Sequence, residues 1–99
     1  MNYLATIGEG IRARIDPSLI PDGDVSLLFA IYAVLALAKG TSVTLADVHN
    51  AWVAWMSVND PDHPALEPFD RLDPETASAD EPFRTAIVLT AAELEVGGS

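Results

Sequence analysis

The chain has 99 residues, 15 acidic and 5 basic, giving a net charge of −10 with neutral histidines. That length holds one core, and the acidic balance excludes partners that need clustered Lys and Arg, such as nucleic acid or an anionic membrane. The absence of Cys removes disulfides, thiolate metal sites and cysteine nucleophiles, and fits a reducing cytoplasm. An apolar fraction of 49% is too high for a disordered acidic chain.

Tyr3, Leu4, Ile7, Ile11 and Ile15 recur at helical spacing and predict a first helix over about 3–15. Asp16-Pro17 ends it, because a residue before proline avoids the α region. Gly8 and Gly10 weaken it by about 1 kcal/mol each relative to Ala, which invites the guess of a close helix neighbour. No long apolar core precedes Glu9, Arg12 and Arg14, so this stretch does not read as a targeting signal.

Pro21-Asp22-Gly23 is a turn, and Asp24 is the expected N-cap of a second helix ending at Lys39-Gly40. From Leu27 to Ala38 nearly every side chain is apolar. The run is shorter than the roughly 20 residues that span a bilayer. It predicts a helix buried all round, central in the domain or covered by a second subunit.

Thr44-Leu-Ala-Asp47 has the spacing of a capping box, with Asp for Glu, and opens a third helix over about 45–57. Val48, Trp52, Trp55 and Met56 share one face of it. Asn59-Asp-Pro-Asp-His-Pro64 and Pro68 make an ordered proline-rich loop. Asp73-Pro74-Glu75 starts a short helix, Asp at its N-cap and Pro at N1. A last helix covers about 81–95 with Phe83, Ile87 and Leu94 inward. No strand alternation or internal repeat appears. The expected fold is all-α: a compact bundle of about four helices plus a short one, a single domain over 1–96, and a disordered tail over 97–99.

Candidate chemistry is sparse. His49, His63, Asp60 and Asp62 lack the tight spacing of a zinc set, and the 59–62 loop lacks the glycine and distal Glu of a calcium loop. No serine sits in a Gly-x-Ser-x-Gly elbow, and no Gly-rich phosphate loop is present. No catalytic residue, metal or cofactor is expected. Trp52 and Trp55, three apart on a helix, are the most informative side chains. One reading packs Trp52 in the core with Trp55 covering it; the other has one ring line a pocket or anchor a partner. Residues 51–99 hold 10 of the 15 acids. They form either a solvated face or a surface that meets a basic partner.

Leu45-Ala46-Asp47-Val48-His49-Asn50-Ala51-Trp52 and His63-Pro64-Ala65-Leu66-Glu67-Pro68-Phe69-Asp70-Arg71-Leu72 follow one another in a pattern that resembles the ryanodine-receptor repeat domain. The resemblance covers about residues 45–90. The family's Gly-Trp and Tyr-Gly ahead of the His-Pro are missing from the shorter Ser57–Asp62 segment. The first 44 residues resemble small proteins of actinobacterial phages. The resemblance implies an all-helical binding module and, in some members, a nucleotide-like ligand near the tryptophans. His49, Trp52, Trp55, His63, Phe69 and Arg71 are the expected ligand- or partner-binding residues. The expected function is a non-catalytic, phage-encoded protein that holds or sequesters a host protein in the bacterial cytoplasm. The alternatives are a sponge for a nucleotide signal of host defence, and an assembly protein that self-associates through Leu27–Ala38.

Overall fold

The side chain of Asn2 accepts the Ala5 amide at 2.9 Å and so caps the first helix. In the computed structural model, which describes residues 2–97, the helices are α1 (Tyr3–Arg12), α2 (Ser26–Lys39), α3 (Leu45–Asn59), α4 (Pro74–Ser78) and α5 (Glu81–Gly97). Single 3-10 turns lie at Pro17–Leu19, Gly40–Ser42 and Phe69–Arg71. Among the described residues there is no strand. The fold is the all-α bundle of four helices and a short one that the residue pattern predicts. α5 runs to Gly97, one residue past the expected domain end; the rest of the expected tail, 98–99, lies outside the described residues.

Besides the end of α5, three helix boundaries differ from expectation. α1 stops at Arg12, three residues early. Residues to Ile15 continue as tight turns, with the Arg14 amide on the Ile11 carbonyl and the Ile15 amide on that of Arg12. Asp16, extended before Pro17, caps the next turn through the Ser18 amide. At α2 the N-cap is Val25. Its side chain is drawn into the core, so the helix begins one residue later, and Asp24 accepts the Ser26 amide from outside. α3 runs two residues further than expected, its end held by the Asn59 side-chain amide on the Trp55 carbonyl at 2.8 Å.

α2 sits in the middle, packed against α1, α3 and α5. Leu28, Phe29, Tyr32, Ala33 and Ala36 face the core. Leu27, Val34 and Leu37 are about half exposed, so the helix is covered on three sides rather than all round. Ninety-nine residues supply too few neighbours to close the fourth. α1 approaches α2 closely. A Cβ built at buried Gly8 would stand 3.0 Å from the Phe29 carbonyl oxygen. Gly40 ends α2 at φ +57°, a conformation that only glycine adopts cheaply.

Thr44 and Asp47 form the expected capping box, each side chain on the other's amide at 2.9–3.1 Å. Lys39 reaches the same Asp47 carboxylate at 3.2 Å and ties the end of α2 to the start of α3. α5 buries Ala86, Ile87, Thr90 and Ala91. Leu94, expected inward, is exposed, as is Tyr3 on α1. Arg84 donates to the Val43 carbonyl at 3.0 Å, and Arg14, in the turns that follow α1, reaches α5 through Thr90 and Glu93.

Candidate functional site

One cavity of about 330 Å³ opens where α2, α3, α4 and the start of α5 meet the proline-rich loop. Its walls are mainly apolar. Leu28 and Tyr32, four apart on α2, form one side, and Phe83 of α5 packs against Tyr32 with ring centroids 5.9 Å apart. Leu19 and Pro21 close an end from the segment that follows α1. The i, i+3 spacing of His49 and Trp52 places both rings on one face of α3. They stack at 5.8 Å with 25° between planes. His63, from the loop, meets Trp52 edge-on at 5.0 Å.

Polar atoms at this site have defined roles. His49 is 3% exposed, and its Nε2 lies 2.6 Å from the Glu67 carbonyl oxygen. A carbonyl only accepts, so Nε2 carries hydrogen and pins the loop to α3. In the neutral ring Nδ1 is then an acceptor. It lies 3.9 Å from Asp80 Oδ2, beyond hydrogen-bond length. Burial pushes the half-buried Asp80 carboxyl above its ordinary value, against the opposing pull of His49. Tyr32 is 1% exposed. Burial, then the Asp80 charge, raise its phenol so far that it stays protonated. His63 Nδ1 accepts the Ala65 amide at 3.1 Å, so the hydrogen of the neutral His63 ring is on Nε2. The loop is therefore held by two histidines in two ways: His49 donates to it from α3, and His63 accepts from within it.

The structure brings His49, Trp52 and His63 together in the lining. Phe69 stands behind them, its ring tilted against His49 at 6.2 Å. Two residues expected at the site are elsewhere. Trp55 belongs to the core at 5% exposure, because α3 turns that position toward α2 and α5 while the half-buried Trp52 faces the loop. The reading with Trp52 in the core and Trp55 covering it is thus reversed. Arg71, at the end of the 69–71 turn, is exposed and outside the lining. The turn partly covers Phe69 and sends its last residue to solvent. Asp60 and Asp62 are likewise exposed and outside it. Among the described residues, no three His, Cys, Asp or Glu side chains cluster as metal ligands would.

Tyr32 and Asp80 are site residues that the sequence reading missed. Tyr32 carries the one polar atom in an otherwise apolar run, and that was the available signal. Asp80 has the sequence context of a helix cap and nothing to distinguish it. No curated protein and no solved structure matches the chain. The model of a family described as a domain of unknown function, DUF7701, matches residues 2–92, and the chain belongs to that family.

Proposed function

We propose that this chain is a non-catalytic binding module whose cavity holds a small, flat organic group. The observation that carries the reading is the make-up of the cavity lining. An apolar cavity is walled by Trp52, Phe83 and Leu28, and His49, Tyr32 and Asp80 converge on it. Ligand sites have this make-up: mostly apolar walls with a few placed polar groups. The volume lies near the low end of the usual range, about 300–1,000 Å³, and suits one or two fused rings.

The non-catalytic role is part of the proposal; one nitrogen of each imidazole is engaged in holding the loop, His49 Nε2 on Glu67 and His63 Nδ1 on Ala65. A nucleotide would find room for its base, but no Arg or Lys lines the cavity to meet its phosphates. A bacterial cytoplasmic setting with a phage-encoded chain stays part of the proposal, on the cysteine-free composition and the resemblance of the first 44 residues.

The test is a ligand-observed NMR screen of flat heteroaromatic fragments against the chain and its Trp52→Ala variant. Fragments should bind the first and be lost from the second. A folded chain that binds none, or binds them equally without Trp52, refutes the reading. A second reading, capture of a host protein or self-association, is favoured by the half-exposed Leu27, Val34 and Leu37 along one face of α2. Sedimentation that shows only monomer across the micromolar range, together with no protein retained from host lysate, counts against it.

A further inference from the structure

We propose that the group held in the cavity is a nitrogen cation on a flat ring, an amine or amidine, seated between His49 Nδ1 and Asp80. This rests on the cavity being a ligand site. The first argument is the count of donors and acceptors. His49 spends its Nε2 hydrogen on Glu67, so the neutral ring offers only a lone pair at Nδ1. Asp80 offers carboxylate oxygens. The two acceptors stand 3.9 Å apart with no hydrogen bond between them, and both line the cavity. The partner this pair calls for is a donor. A nitrogen about 2.9 Å from each acceptor spans any separation up to twice that length, and the observed gap is well inside that limit.

The second argument is charge. Every basic side chain is either engaged elsewhere or outside the lining. Lys39 is on Asp47, Arg14 on Glu93, and Arg84 on Val43 and Glu81. Arg12 lies over the Phe29 ring, and Arg71 is exposed outside the lining. No Lys or Arg therefore stands against the half-buried Asp80, and burial, against the opposing pull of His49, raises its carboxyl. A ligand cation would take that place. The net charge of −10 steers cations inward and anions away. The third argument is the wall. Trp52 and Phe83 line the same cavity, and aromatic faces attract cations.

Three probes with one ring separate the charges: benzamidine (cation), benzamide (neutral) and benzoate (anion). The three titrations share one buffer at pH 8, where benzamidine carries its positive charge and benzoate its negative one. Calorimetry should find benzamidine bound about tenfold tighter than benzamide, with benzoate weakest. Asp80→Asn should bring benzamidine and benzamide within about threefold of each other, with circular dichroism confirming the fold. Benzamide or benzoate bound as tightly as benzamidine overturns the assignment of charge and leaves the cavity a ligand site. So does a tenfold preference that survives in Asp80→Asn. If none of the three shifts the Trp52 indole resonance of the folded chain, this inference and the ligand reading both fall. The probe series on the unsubstituted chain decides the matter even where the variant melts early.

Discussion

Gly8 and Gly10 lie two apart in α1 and carry the same helix-propensity penalty, so replacing each by Ala isolates packing from propensity. Glycine in a helix interior costs about 1 kcal/mol relative to alanine, and both substitutions recover that amount. They differ in what the new methyl meets. At Gly10 it stands 3.9 Å from Thr90 Cγ2 and 4.0 Å from the movable end of Arg14, ordinary contacts. At Gly8 it stands 3.0 Å from the Phe29 carbonyl oxygen, 3.2 Å from its carbon and 3.3 Å from its Cβ. Those atoms are backbone, or next to it, near the start of α2. They can yield only if α1 moves away. Overpacking of that kind costs about 1–3 kcal/mol. Gly10→Ala should therefore stabilise by about 0.5–1 kcal/mol. Gly8→Ala should be neutral or destabilise by up to about 2 kcal/mol, the two terms opposing. In a domain this size each kcal/mol moves the midpoint by about 4–8 °C. Thermal and urea unfolding followed by circular dichroism resolve the difference. Equal stabilisation by both substitutions would show that α1 is free to shift on α2, and the close-approach account of Gly8 would be wrong.

The two tryptophans should separate cleanly. Trp55→Ala should cost about 3–5 kcal/mol, because the ring is buried in the core, whereas Trp52→Ala should melt much nearer the parent and lose fragment binding. Thr44→Ala removes one half of the capping box and should cost about 1 kcal/mol; a change below a few tenths in urea unfolding would contradict the role given to that box. The carboxyls should titrate apart in a carbon-detected NMR series. Asp16, Asp24, Asp47 and Asp73 accept amide hydrogens that hold them below the ordinary carboxylate value, and burial holds Asp80 above it. The sign follows from linkage. These four carboxylates contribute stability above the ordinary carboxylate range that is lost as pH falls through their lowered values. Asp80 acts oppositely and favours the fold most when protonated. An Asp80 that titrates with or below those four would refute its placement.

The helices were legible because the signals that make them are local. Capping residues such as Thr44, Asp47 and Asp73 act within three residues of themselves, so spacing alone exposes them. The boundaries that differ are those decided by tertiary burial. Val25 enters the core and displaces Asp24 from the N-cap, which no local propensity reveals. The outer face of α2 differs for a related reason. A run of apolar residues says that burial is favourable, but not how many neighbours the rest of the chain can provide.

The site was half legible, and the division follows sequence distance. His49 and Trp52 are one turn apart, so a helical face is enough to join them. Their polar partners come from elsewhere: Tyr32 from 17 positions before His49 and Asp80 from 31 after it. Only packing brings those together, and the packing depends on the loop. The His49–Glu67 hydrogen bond crosses 18 positions and fixes the strap that carries His63 and Ala65 to the cavity. This short, part-buried bond is lost when the His49 donor is removed. The residue that shapes one wall thus also orients its own free nitrogen toward Asp80. Mobility of the strap and polarity of the cavity are coupled through one imidazole. A substitution at position 49 that keeps ring volume but not the donor, such as His49→Phe, should therefore loosen the amides of 63–67 to hydrogen exchange and abolish any preference for a cationic ligand in the same step. Were the strap to stay protected while the preference vanished, the two roles would be separable and His49 would not be the residue that links them.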